Sequence, residues 1–217
     1  MKNIILFILT FSTCISCKTN QLVTLSDNSD LNKIFNKEEI YGLDIIVMFF
    51  DSIIVNNIKE KNVNEAYYKY FTNIVTSESL EELRSCIALN NYSGVQALID
   101  DLKEGKVFDE IWEYSYVHKF ENDSLFPRLS INLQGKYFQL IELLEKNNDF
   151  MKMYSSSIKS SGYINPSLVA SVMKHYKYVN FQSSVNRLIW AVHYITILYN
   201  DPPRIRGSVM GQEIYYF

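Results

Sequence analysis

Between Leu43 and Val55 the chain reads LDIIVMFFDSIIV, a stretch in which Asp44, Asp51 and Ser52 are the only polar residues. In a helix, seven residues rise about 10 Å and return to within about 20° of the same direction, so the two carboxylates share one stripe. Paired acids can divide general-acid and general-base duties. Inverting glycosidases, for instance, hold such a pair roughly 6.5–9.5 Å apart, usually converging from different elements. Asp44 and Asp51 are therefore the catalytic candidates. The competing reading, which is preferred, makes their stripe the strip of an otherwise buried helix that meets water, because a charge resists burial.

The other chemistry-bearing residues are dispersed. His118, His175 and His193 lie 57 and 18 residues apart, so none forms the i, i+4 pair of a helical metal site, and beyond the first seventeen residues Cys86 is the sole cysteine. Neither GxSxG, a P-loop nor GxGxxG occurs. No metal and no cofactor are expected. The 24 acidic and 21 basic residues are spread along the chain and leave no cationic stripe for phosphates, which argues against nucleic acid as a partner. Aromatics make up 14% of the residues. Tyr67, Tyr68, Tyr70 and Phe71 crowd too closely for all of them to face one core. Tyr67 and Tyr68 are accordingly candidates for a partner surface, as are Tyr215, Tyr216 and Phe217 at the end of the chain. The simpler alternative is that these rings fill seams between helices.

The beginning of the chain speaks to location. In MKNIILFILTFSTCISCKTN, Lys2 precedes the apolar run Ile4 to Phe11, and small or polar residues follow, the layout of a secretory signal. A bilayer span needs roughly 20 apolar residues, about twice what this run supplies. The residues TCISC ending at Cys17 resemble the lipobox of bacterial lipoproteins, with Cys14 standing where leucine is commonest. That resemblance covers the first seventeen residues. It implies cleavage before Cys17 and lipidation of its sulfur and new amine; the alternative is ordinary signal cleavage with Cys17 unmodified. Two or three acyl chains, at about 0.8 kcal/mol per buried methylene, would make the attachment lasting. Inner-membrane lipoproteins of some bacteria carry aspartate after the cysteine, so Lys18 points by analogy to the outer membrane, facing the periplasm or the exterior.

These groups need a scaffold, and the composition favours helices. Taking Cys17 as the mature start leaves 201 residues and, without Lys2, 20 basic against 24 acidic side chains, a formal charge of −4. That length suits one domain, and 47% apolar residues supply a core. With Cys17 lipidated, no internal disulfide can form, so packing must hold the fold. Seven glycines and four prolines are too few for a turn-dense β-sandwich. Asparagine occurs 20 times, and lysine outnumbers arginine 16 to 5, which reads as the codon bias of an AT-rich genome.

Residues 18–32 are polar with scattered apolar side chains and read as a tether, and Leu43 to Val55 as a helix at the centre of a bundle. Start signals follow at Asn62 with Glu65, Ser79 with Glu82 and Ser93 with Gln96. Val95, Leu98, Ile99 and Leu102 share one helical face, and Gly105 is placed to end that helix in a left-handed turn. From Glu110 the segment is ambiguous. Period two aligns Trp112, Tyr114, Tyr116, His118 and Phe120 and then Leu125, Pro127, Leu129, Ile131 and Leu133 as a hairpin. Period 3.6 groups Phe108, Ile111, Trp112 and Ser115 as a helix, which is preferred from context. Further helices are expected around Leu133 to Leu144, before Gly162, after the Asn165 cap with Pro166 in first position, and over Asn180 to Asn200.

The sequence thus predicts an all-α bundle of about seven to nine helices, with a possible small hairpin at 110–134. Residues 1–16 form a signal peptide, 17–36 a lipidated tether, 37–201 the helical domain and 202–217 a tail. The expected function is that of a membrane-anchored protein-interaction module in the cell envelope, either an accessory or assembly lipoprotein or an immunity-type inhibitor of a partner protein. The alternative is an envelope-polymer hydrolase built on Asp44 and Asp51.

Overall fold

A computed structural model describes residues 24–77, 92–118 and 125–200, with two short paired segments, Ser208–Val209 and Gln212–Glu213. Asparagine starts the first three α-helices. A 3₁₀ turn, Leu25–Asp27, leads into α1, Ser29–Ile34, whose Asp30 and Leu31 amides donate to the Asn28 side chain. Asn36 opens α2, Lys37–Ile58, with a reciprocal capping box in which the Glu39 carboxylate accepts from the Asn36 amide at 2.8 Å. Lys59 ends α2 in the left-handed conformation. Asn62 caps α3, Val63–Thr76, through the Glu65 amide. Helix α4 spans Tyr92–Glu104 and buries Val95, Leu98, Ile99 and Leu102, the stripe read from the sequence. Ser93 lies inside this helix, not at its start. The left-handed turn beyond it falls on Lys106 (φ 63°), one residue after Gly105.

The ambiguous segment is a hairpin. Strand β1, Trp112–His118, pairs antiparallel with β2, Leu125–Ile131, in the register Trp112 to Ile131, Tyr114 to Leu129 and Tyr116 to Pro127. Period two wins over period 3.6 because it places Trp112, Leu129 and Ile131 together on one face, where all three are fully buried. An isolated two-stranded ribbon would be marginal. This one is fixed to the last long helix, α8: the Trp112 indole donates to Thr196 Oγ1 at 2.8 Å, and the Asn200 amide pairs with both backbone groups of Leu129 at 2.8 Å. Gly135 then lets the chain pass Glu110 closely; a Cβ there would stand 2.4 Å from the Glu110 carbonyl oxygen.

Helix α5, Lys136–Glu145, follows, and α6, Asp149–Ser161, starts on the Asn148 cap and ends at left-handed Gly162 (φ 73°). In α7, Pro166–His175, Asn165 accepts the Leu168 amide and Pro166 occupies the first turn, where its missing donor costs nothing. A 3₁₀ turn, Tyr176–Tyr178, connects to α8, Ser184–Asn200. The described chain is therefore mostly helical, with a small antiparallel hairpin. Five of its helices begin on asparagine, so part of the asparagine excess has a structural use.

Two further expectations need correction. The centre is α8, not α2: α8 is buried almost all round and packs on α2, α4 and β2, whereas α2 leaves Tyr41, Met48 and Ser52 in water. The fold also begins before residue 37, because the supposed tether buries Leu25, Leu31 and Phe35 in the core. Burying each such side chain contributes about 1.5–3 kcal/mol, and the Leu25 amide adds a hydrogen bond to the Asp44 carboxylate. The helix read after Ser79 lies outside the described residues. No described helix is long and apolar enough to cross a membrane.

Candidate functional site

The carboxylate pair does not converge on a cleft. Asp44, half-buried in the N-terminal half of α2, accepts the Leu25 amide at 3.0 Å and so fastens the N-terminal turn to the helix. Burial pushes its pKa up, the Leu25 hydrogen bond pulls it down, and Asp27 pushes it up again. Asp51, one stripe position further along, is 5% exposed, which overturns the reading that it meets water. Its charge is matched from α3 and α8 instead. Tyr67 donates to Oδ1 at 2.7 Å, and the Arg187 Nε lies 3.2 Å from Oδ2, close enough for an ion pair but misaligned for a hydrogen bond. Arg187 also donates to the Phe181 carbonyl at 2.7 Å. Burial raises the Asp51 pKa, with Arg187 and then Tyr67 opposing it. Both acids therefore serve the scaffold, one as a backbone acceptor and one as half of an internal ion pair.

The tyrosine candidates are also internal. Tyr67 is fully buried, its ring 4.6 Å from that of Phe181. Half-buried Tyr68 donates to the Val179 carbonyl at 2.6 Å and meets Phe181 edge-on. Tyr70 and Phe71 are buried as well, and Phe71 lies 4.5 Å from the Trp190 ring. These rings fill the seam between α3 and α8, so the crowding that suggested a partner surface is absorbed by one aromatic core. Cys17, Cys86, Tyr215, Tyr216 and Phe217 lie outside the described residues, as does the His118 side chain.

Two surface features remain. The first is the hairpin. Along the row that begins with buried Trp112, Tyr114 is half-buried and Tyr116 is 66% exposed; on β2, Leu125 is 58% exposed and Pro127 is exposed too. The apolar row thus runs past the edge of the core and continues into water. The outer edge of β2 is closed to further pairing, since Asn200 occupies both backbone groups of Leu129 and Pro127 has no amide proton.

The second is a shallow cleft of ≈ 50 Å³ where the α6 N-terminus, α7 with its 3₁₀ turn, and α8 meet. Asn148, His175, Tyr178 and Asn186 line it, with Met151 and Trp190 at its floor among others. His175 stacks on Phe150 with centroids 4.1 Å apart and planes 6° from parallel, and Tyr178, 80% exposed, leans on His175 at 5.4 Å. Burial lowers the His175 pKa, so the imidazole is neutral at physiological pH. The volume is well below the roughly 300–1,000 Å³ of cofactor and drug-sized sites. It suits one small chemical group.

His193 went unrecognised as special in the sequence. Fully buried in α8, it places Nδ1 3.3 Å from the Tyr154 hydroxyl, while Nε2 has no hydrogen-bond partner among the described residues. Burial alone pushes its pKa down to about 3. Its position among apolar residues of α8 was the only available signal. Among the described residues, no three His, Cys, Asp or Glu side chains gather as a metal site. The chain matches no protein-family model, no curated protein and no solved structure.

Proposed function

We propose that the chain is a bacterial lipoprotein, held at the outer membrane of the cell envelope through lipid on Cys17, and that it acts as a protein-interaction module in complex assembly or as an immunity-type inhibitor. The observation that carries the interaction half is the hairpin's apolar row, which leaves the core and ends in exposed Tyr116, Pro127 and Leu125. Exposed large apolar side chains grouped on one projecting element characterise partner-binding surfaces. The anchor half rests on the TCISC resemblance. Seven residue steps from Cys17 to Thr24 span at most about 25 Å, so a lipid on Cys17 would keep the bundle close to the bilayer surface.

Purification from native membranes tests the reading. The wild-type chain should bring down a stoichiometric protein partner, and a Tyr116→Ser, Leu125→Ser double variant with an unchanged melting temperature should lose it. Recovery of no stoichiometric partner overturns the interaction half. Globomycin, which blocks lipoprotein signal cleavage, should cause a larger precursor to accumulate; an unchanged band removes the anchor.

A further inference from the structure

The cleft beside Tyr178 offers a definable set of uncommitted polar groups. Asn148 spends its Oδ1 on the Met151 amide as the cap of α6, which leaves its NH₂ as the group it can donate. Asn186 spends its NH₂ on the Asn180 carbonyl at 2.9 Å, which leaves its Oδ1 as an acceptor. Asn148 and Asn186 therefore both line the same small cleft, the one keeping an amide donor and the other an amide acceptor that no described residue engages, with Met151 and buried Trp190 supplying apolar floor. None of the lining side chains is a carboxylate, lysine or arginine. At the rim, the Tyr178 ring, 80% exposed, presents a flat apolar face supported by the His175 and Phe150 stack.

We infer that this cleft binds the acetamido group of a neutral N-acetylhexosamine, with the sugar ring lying on Tyr178. An acetamido group carries one N–H, one C=O and one methyl. Those match the free Asn186 oxygen, the free Asn148 NH₂ and the apolar floor in turn. The cleft volume, ≈ 50 Å³, admits a group of that size and leaves the pyranose outside, where an exposed aromatic face can pack against its C–H side. No charged side chain lines the cleft to pair with a charged ligand. Plain hexoses lack the N–H and the methyl, so the site should discriminate against them. This inference is independent of the hairpin and of lipidation.

The test is an NMR titration of the ¹⁵N-labelled folded chain with the uncharged trimer of N-acetylglucosamine, following the Asn148 and Asn186 side-chain NH₂ signals. Cellotriose and N-acetyl-trialanine amide serve as comparison ligands. One ring and one acetamido group, at the efficiency usual for small ligands, give a dissociation constant on the order of 1 mM for the N-acetylated sugar. Cellotriose should bind at least roughly tenfold more weakly, a difference equivalent to about 1.4 kcal/mol. Tyr178→Ala removes the platform and should weaken binding by a similar factor, and at 80% exposure the change leaves the fold intact. Asn148→Asp keeps the cap oxygen for Met151 but replaces the NH₂ donor with an acceptor, so it should abolish sugar binding without lowering the melting temperature. No signal change with the sugar trimer at ten times the expected constant overturns the inference. So does binding that survives both substitutions, or tighter binding of the acetylated peptide, which would make the cleft a peptide site.

Discussion

Replacing His193 by glutamine should remove an acid sensitivity that the wild-type fold carries in α8. The imidazole is fully buried, and its pKa is held down to about 3, against about 6.5 for an exposed histidine. Because the folded value is the lower one, the unfolded chain takes up the proton first as pH falls. Stability is then present in full above about pH 6.5, is lost progressively below it, and levels off only near pH 3. With these two values, the linkage relation gives a loss of about 2 kcal/mol between pH 7 and pH 5 from this side chain alone. Other groups titrate too: burial also lowers the pKa of His175, while Asp44 and Asp51, raised by burial, contribute with the opposite sign. They are common to both proteins and cancel in the difference. Glutamine does not titrate and retains a polar amide near Tyr154. Urea unfolding followed by far-ultraviolet circular dichroism at pH 7 and pH 5 measures both proteins. The wild type should lose about 2 kcal/mol more than His193→Gln over this interval. Parallel losses would show that the imidazole is protonated in the folded state without cost, and that it is not sealed from water as the packing around it requires.

Two further substitutions probe the scaffold. Gly135→Ala should cost about 3 kcal/mol by urea unfolding, at the upper end for overpacking, because the added Cβ would stand 2.4 Å from a backbone oxygen that cannot rotate away. A loss below 1 kcal/mol would mean that the approach of Gly135 to the Glu110 backbone is loose. Asp51→Leu alone should cost about 3–5 kcal/mol by stranding the buried Arg187 charge. The Asp51→Leu, Arg187→Met double variant should then be less destabilised than the sum of the singles by at least about 2 kcal/mol, and strict additivity would refute the ion pair.

How much of this was readable from the sequence depends on whether the deciding physics is local. Asn62, Asn165 with Pro166, and Gly162 act within one helical turn, and each sits where its chemistry placed it. The stripe Val95, Leu98, Ile99, Leu102 depends only on helical period, and it too was legible. The hairpin was half legible: the alternating row was visible, but its choice over a helix depends on Thr196 and Asn200, more than 70 residues away, receiving Trp112 and Leu129. Asp51 shows the same limit in sharper form. A carboxylate on an apolar helix has two resting places, water or a countercharge, and the sequence spacing between Asp51 and Arg187 says nothing about which one it finds.

The candidate surfaces follow from that distinction. Aromatic and acidic residues that stood out along the chain, Tyr67, Tyr68 and Asp51, stood out because they are numerous or unusual locally, and the fold spends them on its own seams. What reaches the surface is set by where the core ends. Tyr116 lies in the same alternating row as Trp112 and Tyr114, which meet Thr196 and Tyr199 of α8, yet it is 66% exposed. Tyr178 is exposed while Tyr176, two residues earlier in the same 3₁₀ turn and so on a different side of it, is buried. Which aromatic residues of such a chain reach the surface is therefore set by where a row or a turn leaves the core, and local composition alone does not identify them.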